Sequence, residues 1–223
     1  GGSLCRGKVI GSTVQCPYHG WRFNGAGNCV EIPSLGSGAT IPKRARIDSY
    51  PVEEKYGWIW VFLGDAAEAQ RPPMPDYFPE YEEHEIGDSD EWRFVRGNFI
   101  FECNWVRAIE NGCDHTHAFF VHTDFGNPEN PVASDYDLAI DDSKIESLGY
   151  AKPTEKRGVW ADKIDNDRPD VKTRVHVYKP APSIRIEMHL KPPMWQMIVS
   201  GYTPIDEHRT RVWWCHGRNF FTD

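Results

Sequence analysis

The stretch "VQCPYHGWRF", residues 14–23, sets a cysteine and a histidine at C-x-x-H spacing and follows them with Gly20 and Trp21. A thiolate and an imidazole so placed can both reach one metal centre. Two ligands do not close a four-coordinate site, so a partner pair is expected elsewhere. Gly20 lets the backbone come close to whatever is bound, Pro17 restricts φ and removes an amide donor, and Trp21 can shield the site from water. Taken alone, the spacing favours a buried cysteine beside a surface histidine, or half a zinc site.

The surroundings of this stretch read as strands and tight turns. "KVIGSTVQC" gives two short strands around Gly11-Ser12, and "FNGAGNCVEI" carries a hairpin signal between apolar flanks. "YGWIWVFLG", ending at Gly64, predicts a buried strand. Pro72, Pro73, Pro75 and Pro79 then forbid regular structure, which places a domain boundary near residue 65, with 1–65 a small β domain and 66–223 a second domain. "WRFVRGNFIFECNW" is a candidate strand pair. It leads into a helix with Asn104 as N-cap and with Trp105, Ile109 and Cys113 four apart on one face. Residues 126–173 read as long loops with short strands, a candidate pocket lid. Alternation returns from 174 in "RVHVYK", "SIRIEMHL", "WQMIVSGYTPI" and "TRVWWCHGRNF", antiparallel strands facing a core or cavity. The fold class is α+β.

At 223 residues the chain can bury roughly 70% of its unfolded surface, so its core needs no disulfides. A formal charge of −8 argues against a nucleic-acid or anionic-membrane partner. The longest apolar run, "WIWVFL", is too short to span a bilayer. "GGSLCRGK" lacks the apolar stretch of a signal peptide, so the six cysteines are expected free or metal-bound in a reducing cytoplasm.

"CPYHGWRF" resembles the second half of the Rieske [2Fe–2S] signature, C-x-H, a linker, then C-x-x-H. The resemblance implies that Cys16 and His19 each bind one of two irons, thiolate on one and neutral imidazole on the other, which eases electron acceptance. The first half is expected upstream of Gly1, because Cys5 is followed by Gly7 where a histidine would stand.

A second constellation, "ENGCDHTHAFFVH", holds Asp114-x-x-His117-x4-His122. On a helix Asp114 and His117 share a face. The carboxylate there can accept the Nδ1–H of His117 and free Nε2 for a metal. Five residues span about 140° around a helix axis, so the helix must end or bend between His117 and His122, near Phe119-Phe120. Two histidines and a carboxylate form the facial triad of non-haem Fe(II) oxygenases; a His-rich helix end that only stabilises the macrodipole is the bland alternative. With "NW" at 104–105 and "EN" at 110–111, the block is similar to the mononuclear iron motif of Rieske oxygenase catalytic subunits. The E-N-x-x-D spacing resembles the monooxygenase, demethylase and carbazole-type branch.

That resemblance implies a partial Rieske domain followed by a helix-grip-like catalytic domain. His117 and His122 would bind Fe(II). Asp114 would carry electrons from a neighbouring subunit's Rieske histidine, and Asn111 would line the site. The third ligand, an aspartate in a C-terminal helix, is expected past Asp223. The implied activity is hydroxylation or O/N-demethylation of a small organic substrate. Electrons would come from NAD(P)H through a reductase or ferredoxin, in a homotrimer. Cis-dihydroxylation, a Rieske ferredoxin and a zinc-stapled binding module are the rival readings. His115 is expected to point to solvent. His216 has an ordinary surface or core role. His176 and His189, with Met194, Trp195 and Met197, are possible pocket walls, although plain core packing is the simpler reading for each.

Overall fold

The computed structural model describes residues 2–83, 91–122, 128–133, 135–152, 169–179 and 182–222. The chain divides into two compact units, Gly1–Glu68 and Ala69–Asp223.

The first unit is built from hairpins. Strands β1 (Lys8–Ile10), β2 (Thr13–Gln15), β3 (Arg22–Asn24) and β4 (Cys29–Glu31) form one antiparallel sheet in sequence order. The β3–β4 turn is closed by Asn24, whose Oδ1 accepts from the N–H of Ala26 (3.1 Å) and of Asn28 (3.0 Å). That is the side-chain mimicry of a backbone turn that makes asparagine a turn residue. Phe23, Cys29 and Ile32 form the core, with Cys16 and Trp21 packed at its edge. Strand β6 (Trp58–Val61) departs from expectation: it pairs with β5 (Val52–Lys55) in a separate two-stranded ladder. Trp58 and Trp60 are half-buried while Ile59 and Val61 face solvent. An all-apolar run does not reveal which of its two faces is covered.

The second unit is a seven-stranded antiparallel sheet of order β7-β13-β12-β11-β10-β9-β8. Its strands are β7 (Arg93–Phe101), β8 (Asp137–Ile140), β9 (Lys144–Ala151), β10 (Val171–Tyr178), β11 (Ser183–Lys191), β12 (Met194–Pro204) and β13 (Thr210–Arg218). The expected strand pair at 92–105 is the single strand β7. Residues 137–151, expected as loop with short strands, form β8 and the eight-residue β9 at one side of the sheet, while 126–127, 134 and 153–168 of the candidate lid lie outside the described residues.

Both faces of this sheet are covered, for opposite reasons. One face meets a helix: Val175, Ile184, Tyr202 and Val212 are buried with Ala108, and Ile109 and Cys113 pack against them. Burial of each large side chain there contributes about 1.5–3 kcal/mol. The other face carries charge. Arg185 donates to both carboxylate oxygens of Glu80 (2.9 and 2.7 Å), to Glu187 Oε1 (2.8 Å) and to the Tyr77 carbonyl (2.8 Å). Tyr77 stacks edge-on with Tyr178 there. Among the described residues no helix is long and apolar enough to cross a membrane.

Candidate metal centre

The helix of the first face is α2 (Trp105–Cys113), after the short α1 (Pro79–Glu83). Asn104 caps it as expected, its Oδ1 accepting from the Val106 N–H at 3.0 Å. Gly112 brings α2 close to the sheet: a Cβ there would stand 2.6 Å from Ile184 Cδ1 and 3.2 Å from the Tyr202 hydroxyl. Burial pushes the Cys113 thiol up, so it packs as a protonated, uncharged side chain.

The helix ends earlier than the spacing suggests. Asp114 is extended (φ −79°, ψ 109°), and its N–H bonds the carbonyls of Glu110 and Asn111. Its Oδ1 accepts from the Thr116 N–H (2.7 Å), the Thr116 hydroxyl (2.6 Å) and, weakly, the His117 N–H (3.4 Å). These bonds, the Thr116 hydroxyl foremost, hold the Asp114 carboxyl below its ordinary range. Phe119-Phe120, where a break was expected, belongs instead to a second short helix, α3 (Ala118–Val121).

His117 and His122 flank α3 as its two caps. Their Nε2 atoms converge to 3.3 Å, with ring centroids 5.2 Å apart. Two nitrogens bound side by side on one metal ion at about 2.0–2.1 Å stand ~3.0–3.4 Å apart, so this separation fits a shared ion. Asp114 Oδ2 lies 3.6 Å from His117 Nδ1, longer than a hydrogen bond, and Nδ1 is buried with no hydrogen-bond partner. The expected Asp114–His117 contact is therefore a close approach of the two groups. Asn111 sits on the last turn of α2 with its side chain exposed. Among the described residues no three His, Cys, Asp or Glu side chains converge on one point. They offer two imidazole ligands and not the triad's carboxylate.

His115 departs from expectation. It is half-buried, with Nε2 2.9 Å from Ser147 Oγ on β9 and its ring 4.6 Å from that of Tyr136. Burial lowers its basicity, opposed by the nearby Asp114. The suggested pocket walls His176, His189, Trp195 and Met197 share the charged face of the sheet, opposite α2, by strand register. On the face of α2, His216 Nε2 pairs with Gln196 Oε1 at 3.1 Å, and Gln196 Nε2 reaches Met188 Sδ at 3.7 Å.

In the first unit, Cys16 and His19 occupy the β2–β3 loop. The Cys16 N–H donates to the Trp21 carbonyl (2.7 Å) and the Gly20 N–H to the Cys16 carbonyl (3.0 Å). Gly20 has φ +74°, and a Cβ there would press on Pro33 at 3.2 Å, so the loop requires glycine. Cys16 is half-buried with a free thiol, and His19 is exposed, its ring 3.9 Å from that of Tyr18. One thiol and one accessible imidazole on a tight loop are the donor types a Rieske cluster takes from its second motif half.

Two family models match this architecture: a Rieske [2Fe-2S] domain over residues 1–51, and the vanillate O-demethylase oxygenase C-terminal domain over residues 101–223. The chain therefore belongs to the Rieske oxygenases whose catalytic domain is of the vanillate O-demethylase type. It is 28% identical to the toluene-4-sulfonate monooxygenase system iron-sulfur subunit TsaM1 of Comamonas testosteroni, over 97% of this chain and 64% of that one. It is 30% identical to the dicamba O-demethylase oxygenase component of Stenotrophomonas maltophilia, over 65% of this chain and 40% of that one. The crystal structure of dicamba monooxygenase bound to dicamba shares the fold, with a TM-score of 0.77 at 24% identity over 99% of this chain and 64% of that one. The chain spans less than two thirds of the length of these relatives.

Proposed function

We propose that the chain is part of an oxygenase component that uses O2 and externally supplied electrons to hydroxylate or oxidatively demethylate a small, aromatic or cyclic organic substrate. The observation that carries this reading is the convergence of the His117 and His122 Nε2 atoms to 3.3 Å. A Rieske-type electron carrier has no use for that pair. The relatives named above are monooxygenase or demethylase components, and the E-N-x-x-D spacing favours insertion of a single oxygen atom.

In this reading Cys16 and His19 hold one ligand position each on the two irons of a [2Fe–2S] cluster, and His117 and His122 hold mononuclear Fe(II). The bound iron supplies open positions for dioxygen beside the substrate. The chain's own part is orientation. Asp114 keeps Oδ1 committed to Thr116 and presents Oδ2 to the Nδ1 side of His117, which favours the tautomer with Nε2 free. Asp114 and Asn111 are the residues assigned to the electron path and the site lining. The reading carries with it a ferredoxin or NAD(P)H-dependent reductase as donor and a homotrimer in which one subunit's cluster serves the next subunit's iron. Six free cysteines suit a cytoplasmic location.

Iron and acid-labile sulfide analysis of the whole protein tests this. The expectation is a two-iron cluster plus one further iron per chain, the latter alone removed by His117→Ala or His122→Ala. Zinc at His117 and His122, or a cluster with no further iron, would overturn the proposal.

A further inference from the structure

The ligand-bearing segment has little intrinsic hold on its own shape. Helix α3 is four residues long, closed by the Val121 N–H to His117 carbonyl bond (2.9 Å) and the His122 N–H to Ala118 carbonyl bond (3.3 Å). One helical turn fixes several dihedrals for very few hydrogen bonds and does not form unaided. The 3.3 Å approach of the two imidazoles therefore depends on what pins the segment to the rest of the unit.

Among the described residues, Phe119 and His115 are two side chains that reach from it into the rest of the unit. Phe119 is buried inside the short helix, which fixes its depth but leaves rotation about its axis to other contacts. His115, two residues before His117, reaches sideways. Its Nε2 lies 2.9 Å from Ser147 Oγ, and its ring packs against Tyr136 at 4.6 Å with a 35° tilt. Ser147 belongs to β9 and lies in register with Val175 of the neighbouring β10, which is buried under α2. The imidazole thus ties the segment to an interior part of the sheet, on the face that α2 covers. Its Nε2 is directed at Ser147, away from a role as a third ligand beside the other two histidines.

We infer that His115 is a positioning residue: through its hydrogen bond to Ser147 it holds His117 and His122 in the convergent arrangement that binds metal. This inference rests on the metal-centre reading above and assigns His115 no contact with metal, substrate or oxygen.

The test is Co(II) titration of the whole protein after removal of mononuclear iron, read by the visible d–d absorption of the bound ion. The Rieske absorption and the thermal midpoint serve as controls of fold. His115→Leu and Ser147→Ala should each weaken Co(II) binding by about tenfold, as loss of a supporting hydrogen bond does around other metal ligands, with both controls unchanged. The double variant should bind no more weakly than either single one, because both remove the same bond. His115→Gln, which returns an amide nitrogen near the Nε2 position, should restore most of the affinity. Wild-type affinity in His115→Leu would overturn the inference alone, and so would loss of binding as complete as in His117→Ala with an altered d–d band, since that marks a ligand. Equal Co(II) binding by wild type and His117→Ala would sink the metal-centre reading and this inference with it.

Discussion

Replacing Gly112 with alanine sets two effects of known sign against each other. Alanine is the better helix former by about 1 kcal/mol at most in a helix interior, and Gly112 lies within α2. The added Cβ would stand 2.6 Å from Ile184 Cδ1 and 3.2 Å from the Tyr202 hydroxyl. Carbon atoms pack at about 3.5–4.0 Å, so relief of roughly 1 Å is needed. Ile184 is 1% exposed and packs among Ala108, Val175, Tyr202 and Val212, so its Cδ1 can give way only by turning within a buried cluster. Overpacking of this kind costs about 1–3 kcal/mol, and the net expectation for Gly112→Ala is a loss of about 1 kcal/mol. Ile184→Val removes the very methyl group that the new Cβ meets. Alone it costs about 0.5–1.5 kcal/mol; combined with Gly112→Ala it should give a protein close to wild type, a coupling of about 1–2 kcal/mol. Urea unfolding of the four proteins, followed in the transition of the second unit, measures this cycle. Changes that add to within about 0.5 kcal/mol would show that α2 does not approach the sheet as described.

The charged face of the sheet offers a second set of outcomes. Arg185→Met leaves Glu80 and Glu187 without their shared partner, and the second unit should lose about 3–5 kcal/mol in denaturant unfolding. Burial pushes the Glu187 carboxyl up, but His176 and Arg185 outweigh it and hold it at about 2, against an ordinary 4.5. A depressed carboxylate stabilises the fold above its unfolded value. Its contribution is therefore full above about pH 4.5 and lost as pH falls towards 2, and Glu187→Gln should flatten that part of the acid-unfolding curve. Gly20→Ala forces a side chain into the left-handed region against Pro33, at a cost of about 1–2 kcal/mol to the loop. The expected result is reduced Rieske absorption per chain with the second unit's unfolding unchanged.

The local devices of this chain were legible because each is written in neighbouring residues. The β3–β4 hairpin follows from Asn24 and the glycines after it, the start of α2 from Asn104, and the loop of Cys16 and His19 from Gly20. The end of α2 was misplaced for an identifiable reason. Spacing arguments carry a helix forward until something stops it, and the stop here is a side-chain bond, Asp114 Oδ1 to Thr116, that competes with the helical pattern. An aspartate two residues before a threonine was the available signal. The partnership of His115 with Ser147 spans 32 positions and leaves no local trace.

The histidines of the sheet make the same distinction sharper. Alternation in β10 and β11 separates two sets of side chains with certainty, but both faces of this sheet are covered, so alternation alone does not say which set meets α2. The registers decide it. Val175 opposes Ile186 and Ile186 opposes Ile198, which opposes His216, and this row lies on the helix-covered face. His176 opposes Arg185 and belongs to the other. Charge pairing explains why the second set can be polar and yet buried. Arg185 hydrogen-bonds to both Glu80 and Glu187, the His176 ring stands 3.6 Å from Glu187, and an isolated charge in that layer would not tolerate burial. A buried histidine in an alternating strand therefore points to a site only when the strand opposite it offers neither a countercharge nor a hydrogen-bond partner. His176 on β10 has Glu187 of β11 at 3.6 Å, His189 is partly exposed beside Glu187 on its own strand, and His216 on β13 pairs with the neutral amide of Gln196 on β12.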